Sequence, residues 1–130
     1  MLLRQLSVFL ENRPGQLVEI TKLLAEHRID LQAINIAETS DYGVLRIICD
    51  DADSAMKILQ NEGYITRLNH VNCIEIKDEV GGLNRILRRL LEQGIDIEYM
   101  YSVFGGKEGK ARMIVRAKND NKEICLAEDK

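Results

Sequence analysis

Hydrophobic and polar residues follow two different periods along the chain, and each period predicts one type of element. An apolar run at 6–10 and an alternating stretch at 73–76 predict short strands. Over 17–24, apolar residues recur three or four positions apart, which is typical of one buried stripe on a helix. The same spacing returns over 83–91, so the chain is predicted to contain two similar strand–helix pairs.

These two strand–helix pairs are copies of one longer pattern. With an offset of 66 residues, 5–38 aligns with 71–104 without a gap, and Gly15 falls on Gly81. The identical residues are few, but they lie where a turn or a core would require them. Self-similarity at a fixed offset is the mark of a repeated structural unit. We therefore interpret the chain as a duplication.

Each copy continues with two further predicted strands. Segments 29–38 and 95–104 are followed by turns rich in Gly, Asp and Ser. One extra residue in the second of these turns brings the return strand at 44–49 onto 111–116.

The first copy is completed by a second helix and a fourth strand. Asp51 or Asp53 is expected to start the helix, which ends near 61–63, and 64–70 can form the strand. The element order is then β-α-β-β-α-β, the split βαβ arrangement of ferredoxin-like folds. In the second copy, 119–130 leaves room for a short helix but for no fourth strand.

The predicted fold class is α+β, with two ferredoxin-like βαββαβ modules at 1–70 and 71–130. Helices should cover one face of each antiparallel sheet, and the second module is shortened at its carboxyl end. One copy of this length buries only a marginal core. We therefore expect the modules to pack against other copies, with a symmetric homodimer covering the open sheet edges.

Composition and charge narrow the class of partner. The 130 residues carry a formal net charge of −3, so no basic field is available for nucleic acid. No apolar run is long enough to span a membrane, and the first residues do not resemble a signal peptide, so a cytoplasmic location is expected. Cys49, Cys73 and Cys125 are widely spaced and are expected to be reduced thiols.

The usual catalytic and metal-binding patterns are not found. His27 and His70 lie on different elements without a neighbouring set of Cys and His residues, and no nucleophile or nucleotide motif is present. Arg13 could serve an acylphosphatase-like loop, but the surrounding sequence does not resemble that family. Tyr99 and Tyr101 share a strand face, but Glu98 lies next to Tyr99 and the chain is acidic, which disfavours RNA binding. We predict no catalytic residues, no metal and no cofactor.

The segment 9–17, Phe-Leu-Glu-Asn-Arg-Pro-Gly-Gln-Leu, resembles the first strand and loop of the ACT domain family. The following helix and Ile29-Asp30-Leu31 continue the resemblance, which covers nearly the whole chain, twice. Modules of this family regulate phosphoglycerate dehydrogenase, aspartokinase and acetolactate synthase. The second copy, with Ile97-Glu98-Tyr99-Met100-Tyr101, is similar to stand-alone tandem ACT proteins.

The resemblance implies a ligand site where the first loop of a module meets a neighbouring module. The loop asparagine that binds the effector in the dehydrogenase falls on Asn12, and its strand-start partner falls on Asp30. A histidine of that site falls on Leu10. Aspartokinase-type modules have an aspartate in the loop, which matches Asp78, and the strand-start position is Asp96. The candidate ligand-binding residues are Asn12, Arg13, Pro14, Gly15, Gln16, Leu17, Asp30, Asp78, Glu79, Val80, Gly81, Gly82, Leu83 and Asp96.

Physical chemistry also supports the loop as a receptor for a zwitterion. A helix N-terminus offers N–H groups and a partial positive charge to a carboxylate, and glycines allow a close approach. A nearby Asn or Asp can take the ammonium group. The same residue types are also good helix caps, so capping by Asn12 or Asp78 is an alternative.

The predicted function is reversible, non-enzymatic binding of a free amino acid at the loops between the first strand and first helix. The alternative is an interaction partner of an amino-acid biosynthetic enzyme, with degenerate pockets that no longer bind. In either case a homodimer and a biosynthetic enzyme are the expected protein partners.

Overall fold

The computed structural model describes residues 1–11, 13–38, 41–118 and 123–126. Six strands and three helices lie within these ranges, and the α+β class predicted above is confirmed. Their bounds are β1 (Leu2–Glu11), α1 (Gln16–Glu26), β2 (Leu31–Glu38), β3 (Tyr42–Cys49), α2 (Ala52–Asn61), β4 (Thr66–Lys77), α3 (Gly82–Glu92), β5 (Ile97–Ser102) and β6 (Lys110–Ala117).

The chain divides into two compact units. Arg4–Asn69 forms the first, called here the amino-terminal unit. The second, the carboxy-terminal unit, consists of Met1–Leu3 together with His70–Lys130. Each unit therefore receives a part of β1 and a part of β4.

The amino-terminal unit has the strand order β2-β3-β1-β4. β3 pairs antiparallel with both β1 and β2, and the Phe9 N–H donates to the Ile65 carbonyl at 3.0 Å just before β4. Alternate strand residues and the apolar stripes of α1 and α2 meet in one fully buried core: Leu6, Val8, Ile20, Leu24, Leu45, Ile47, Ala55 and Leu59. Both helices thus cover the same face of the sheet, as the periodicity predicts.

Asp51 is the N-cap of helix α2. Its carboxylate accepts a hydrogen bond from the Ser54 N–H at 3.1 Å and a second from the Ser54 hydroxyl at 2.7 Å. Those two bonds hold the pKa of Asp51 below its usual value. Of the two predicted starting residues, the structure selects Asp51.

The carboxy-terminal unit has the strand order β4-β6-β5, with the start of β1 beside β4. Met1 and Cys73 exchange backbone hydrogen bonds of 2.8 and 3.3 Å, so Met1–Leu3 occupies the fourth strand position of this unit. The buried core contains Ile74, Ile76, Ile86, Leu90 and Val115. Ile124 and Leu126 of segment 123–126 pack against it, and the Ile124 N–H donates to Asn72 Oδ1 at 2.9 Å.

Two details of the sequence prediction are wrong. The segments 64–70 and 73–76 were expected to form two strands, but residues 66–70 and 73–76 belong to the single strand β4, because nothing between Thr66 and Lys77 interrupts the extended backbone. The predicted match of 44–49 with 111–116 is displaced by one residue. Leu6 pairs with Ile47 and its repeat equivalent Asn72 pairs with Val115, so the match is to 112–117 and the turn contains two extra residues.

No helix among the described residues is long and apolar enough to cross a membrane.

Candidate ligand-binding clefts

The loop between β1 and α1 is shaped by Gly15. This residue is the N-cap of α1 and has a φ of 88°, a left-handed conformation that glycine adopts without steric cost. Its carbonyl accepts the first helical hydrogen bond, from the Glu19 N–H at 3.1 Å. The N–H groups of the residues between them have no acceptor within the helix and are directed towards its open end.

Two clefts lie beside this loop, both within the amino-terminal unit. The larger, called here the main cleft, has a volume of about 620 Å³. The smaller, the side cleft, has a volume of about 410 Å³. Arg13 and Gln16 line both clefts, whereas Pro14, Gly15 and Leu17 line the side cleft.

The side chain of Gln16 is the unusual feature of the loop. The residue is only 5% exposed, and its Oε1 atom has no hydrogen-bond partner among the described residues. A buried acceptor without a partner costs about 1–3 kcal/mol of stability. Because Gln16 lines both clefts, a ligand donor in either cleft could satisfy this oxygen.

A short network of polar contacts fixes the mouth of the main cleft. The Arg13 guanidinium lies 3.1 Å from Glu19 Oε2, and the Tyr64 hydroxyl donates to the same oxygen at 2.9 Å. These hydrogen bonds, with that of Tyr64 the larger cause, hold the pKa of Glu19 below its usual value. Burial and then the Glu19 carboxylate raise the pKa of Tyr64.

Aromatic rings and acidic side chains form the rest of the lining. The rings of Phe9 and Tyr42 lie with centroids 6.3 Å apart, and both residues line the main cleft. Five acidic residues and two basic residues line this cleft: Glu11, Glu19, Glu26, Asp41 and Glu62, with Arg13 and Lys22. The main cleft therefore has an excess of negative charge.

Two of the predicted residues of the first copy are not placed at these clefts. Asn12 lies outside the described residues. Asp30 lines neither cleft, and its N–H donates to Asp50 Oδ1 at 3.0 Å while its carbonyl accepts from the Asp50 N–H at 3.2 Å. Its part in ligand binding stays a prediction.

The equivalent loop in the carboxy-terminal unit leads into α3. Gly81 is the N-cap with a φ of 83°, and Gly82 follows in the first turn. A Cβ atom on Gly82 would lie 2.2 Å from the Lys77 carbonyl oxygen, so any other residue there would force β4 or α3 to move. This glycine is required by the close approach of the protein's own backbone.

A third cleft, called here the carboxy-terminal cleft, has a volume of about 450 Å³ and lies beside that loop. Of the predicted residues of the second copy, Gly82 alone lines this cleft among the described residues. Glu79 forms an ion pair with Arg85, while Val80 and Leu83 are exposed.

The two aspartates predicted for the second copy make other contacts. The Asp78 N–H donates to the Gly109 carbonyl at 3.0 Å, and its carboxylate has no hydrogen bond to α3 among the described residues. Asp96 lies 3.4 Å from the Lys118 ammonium and accepts the Lys118 N–H at its carbonyl. The capping alternative for Asp78 therefore has no support in the structure.

The comparison with known protein families decides what kind of module these clefts belong to. The family of ACT domain pairs matches residues 1–129. The chain belongs to the ACT domain family. The prediction made from segment 9–17 and its repeat is confirmed. ACT domains are regulatory modules.

Solved structures share the fold of this chain. Protein BT0572 from Bacteroides thetaiotaomicron is 39% identical with a TM-score of 0.84, covering 92% of this chain and 81% of that one. The regulatory subunit of aspartate kinase from Thermus thermophilus has the same fold at 16% identity and a TM-score of 0.66, covering 86% and 81%. The aspartokinase alpha and beta subunits match with 16% identity and a TM-score of 0.57, covering 88% and 82%. No curated protein matches the chain.

The sequence analysis missed several residues that line the clefts of this ACT pair, above all Glu19, Tyr64, Arg85 and Arg89. One signal for them was present in the repeat. Arg13 and Glu19 are six residues apart, and the equivalent residues of the second copy are Glu79 and Arg85. Both pairs form ion pairs, so the exchange of signs preserves the contact between loop and helix.

Metal and thiol chemistry receive no support from the described residues. They contain no group of three or more His, Cys, Asp or Glu side chains that could hold a metal ion. Cys49, Cys73 and Cys125 are free cysteines, and burial raises the pKa of the first two thiols.

Proposed function

We propose that this ACT domain pair is a non-enzymatic sensor that binds a free amino acid beside Gln16, at the clefts of the amino-terminal unit. The observation that carries the proposal is the Gln16 side chain, 5% exposed, with an Oε1 atom that has no partner among the described residues. A buried acceptor of this kind is costly, and a ligand N–H group would remove the cost.

The two ends of an amino acid match the two kinds of group around the loop. The ammonium group would donate to Gln16 Oε1, and nearby carboxylates such as Glu11 add attraction. The carboxylate would accept from the first N–H groups of α1, with the Arg13 guanidinium at the rim. Since a free amino acid has few heavy atoms, we expect a Kd on the order of 10 µM to 1 mM.

The charge of the main cleft favours some amino acids over others. Its five acidic side chains against two basic ones oppose a ligand with a second carboxylate. We therefore expect neutral or basic amino acids to bind, and aspartate and glutamate to bind more weakly.

The amino acid would regulate the protein by binding one of its states more tightly than another. A ligand shifts an equilibrium only through different affinities for the two states, here two arrangements of a dimer or of a complex with an enzyme. The relatives named as regulatory subunits of aspartate kinase support an amino-acid biosynthetic enzyme as the class of partner. We include a cytoplasmic location in this proposal, because free amino acids and such enzymes occur there.

A thermal-shift screen of the purified protein against the free amino acids tests the proposal. At about 100 times Kd, a ligand adds about 2.7 kcal/mol to the free energy of unfolding, which raises Tm by several degrees. We expect a selective rise for a few neutral or basic amino acids. No rise across the panel would contradict amino-acid binding and would favour the alternative, an interaction partner of an enzyme, to be sought by pull-down.

A second test replaces Gly15 with valine. A β-branched side chain at a φ of 88° forces the loop to change conformation, so Gly15→Val should abolish the ligand-induced shift in a protein that still folds. Gly94→Val is the matched control, because Gly94 also has a left-handed φ, 75°, with no atom within 4 Å of an added Cβ. Both variants should lose stability, but Gly94→Val should keep the shift. Retention of the shift in Gly15→Val would refute the loop as the site.

A further inference from the structure

The main cleft and the carboxy-terminal cleft are the same site in the two copies of the repeat. Leu10, Glu11, Gln16, Glu19 and Leu23 line the main cleft. The residues 66 positions later, namely Ile76, Lys77, Gly82, Arg85 and Arg89, line the carboxy-terminal cleft. The duplication has therefore preserved the position of the cleft while its lining has diverged.

The divergence reverses the charge. Glu11 is replaced by Lys77 and Glu19 by Arg85. The apolar Leu23 becomes Arg89, and Tyr42 becomes Lys110 in the register that the strand pairing gives. Among the described residues, four basic side chains now line the cleft against one acidic side chain, Glu75, and one of the four, Arg85, also forms an ion pair with Glu79.

This basic lining is a local property. The whole chain has a formal net charge of −3, so the four cationic groups do not reflect a basic protein. They come from three elements, β4, α3 and β6, and converge on one cleft. A cleft lined by one sign of charge attracts ligands of the opposite sign.

The buried amide acceptor of the first copy has no equivalent in this copy. Gly82 stands where Gln16 stands in the first copy, and an added Cβ would lie 2.2 Å from the Lys77 carbonyl oxygen. A side-chain acceptor at this position would therefore require β4 or α3 to move. A ligand with an ammonium group would meet basic side chains here without the buried acceptor that the first copy offers.

The floor of the cleft is apolar. Ile74, Ile76 and Ile86 belong to the core of the unit, and Ile124 and Leu126 line the cleft from the carboxy-terminal segment. A volume of about 450 Å³ is in the range of small-molecule pockets. A fitting ligand has one anionic group and a short apolar body.

We propose that the carboxy-terminal cleft binds an organic anion without an ammonium group, a short aliphatic carboxylate. The carboxylate lies between Lys77 and Arg89, beside the Arg85–Glu79 ion pair, and the hydrocarbon part contacts the isoleucine floor. The two copies of the repeat thus select ligands of different charge. This inference concerns a different cleft from the proposed amino-acid site, so either proposal can fail without the other.

Backbone-amide NMR of the full chain tests this with three matched probes: hexanoate, its neutral analogue hexanamide, and norleucine, which is hexanoate with an α-ammonium group. Hexanoate should produce saturable shifts at amides of 74–77 and 82–89. Hexanamide and norleucine should bind there at least about fivefold more weakly. Hexanamide has no charge to be attracted, and the ammonium group of norleucine is repelled by the basic side chains. Equal shifts with hexanoate and hexanamide, or no saturable shift with hexanoate, would overturn the proposal.

Two variants on one helix separate the cleft from general charge effects. Arg89 lines the cleft, whereas Arg88 is exposed on α3 and does not line it. Arg89→Gln should raise the Kd for hexanoate roughly tenfold, because a charge-assisted hydrogen bond is lost. Arg88→Gln, with the same change in net charge, should leave the Kd within about twofold. An equal effect of both variants would show that only net charge matters and would contradict the proposed site.

Discussion

At the residue scale, the Gln16 side chain links stability to ligand binding. Its Oε1 atom is buried without a partner among the described residues, so the unliganded protein bears the cost of a desolvated acceptor. The repeat-equivalent glycine has no such group. A residue that destabilises the free protein and contacts a ligand is expected at a binding site rather than in a core.

Replacing Gln16 with leucine should therefore stabilise the free protein. The change removes the unsatisfied acceptor and keeps a similar volume, so the free energy of unfolding should rise by about 1–2 kcal/mol. Urea denaturation measures this directly. Gln93→Leu, at an exposed residue of the other unit, is the control and should change stability little. A loss of stability in Gln16→Leu would mean that the amide makes favourable contacts that the described residues do not show.

The contribution of Glu19 to stability should depend on pH. The hydrogen bond from Tyr64 and then that from Arg13 lower the pKa of Glu19 in the folded protein. Its stabilising contribution is therefore complete above the unfolded pKa of about 4.3 and is lost as the pH falls through the lower folded pKa. Carboxyl NMR titration should find this lowered pKa, and Tyr64→Phe should raise it towards the ordinary value.

Asp53 offers an internal control for that titration. Its pKa is lowered chiefly by a hydrogen bond from Arg4, whose two nitrogens each lie 2.8 Å from the carboxylate, independent of Tyr64. Tyr64→Phe should leave the pKa of Asp53 unchanged. A pKa of Glu19 that did not respond to Tyr64→Phe would contradict the described network.

At the scale of the elements, periodicity predicted most of the structure but could not determine register. The apolar stripes of α1 and α3 and the Asp51 start of α2 were readable, because helix period and capping are local properties. The register of β3 on β1, and of β6 on β4, depends on a turn of variable length. A shift by one residue reverses which side chains face the core. Whether 64–77 forms one strand or two likewise depends on the neighbouring strands. The sequence alone was therefore compatible with two short strands in place of β4.

The site shows the same division between local and non-local information. The loop residues Arg13 to Leu17 were predicted from a motif and do line clefts. Tyr64 is 45 residues from its partner Glu19, and nothing in the local sequence links them. The reason for the glycine at position 82 was also predicted incorrectly. Gly82 is required because the Lys77 carbonyl lies close to it, and not because a ligand must approach there.

Gly82 allows the start of α3 to lie close to the end of β4. An alanine there would bring Cβ within 2.2 Å of a backbone oxygen, so β4 or α3 must move. Gly82→Ala should lower the free energy of unfolding by about 2–3 kcal/mol. Gly94→Ala strains a left-handed residue without a clash and should cost only about 1 kcal/mol. Equal losses in urea denaturation would show that α3 shifts easily and would contradict the tight contact.

At the scale of the whole molecule, each of the two units has its own small core. A core of this size gives marginal stability, and β2 and β5 are the outer strands of their units. We therefore predict that two chains associate into a symmetric homodimer. Light scattering after size-exclusion chromatography should give twice the mass of one chain, and a monomer at micromolar concentration would contradict this.

The central claim is that the amino-terminal unit binds a free amino acid through Gln16. Isothermal titration with the amino acid that gives the largest thermal shift tests it most directly, in the wild type and in Gln16→Leu. We expect one site per chain for this ligand in the amino-terminal unit, and a Kd at least about tenfold higher in the variant. Equal affinity in both proteins would place the ligand elsewhere and contradict the claim.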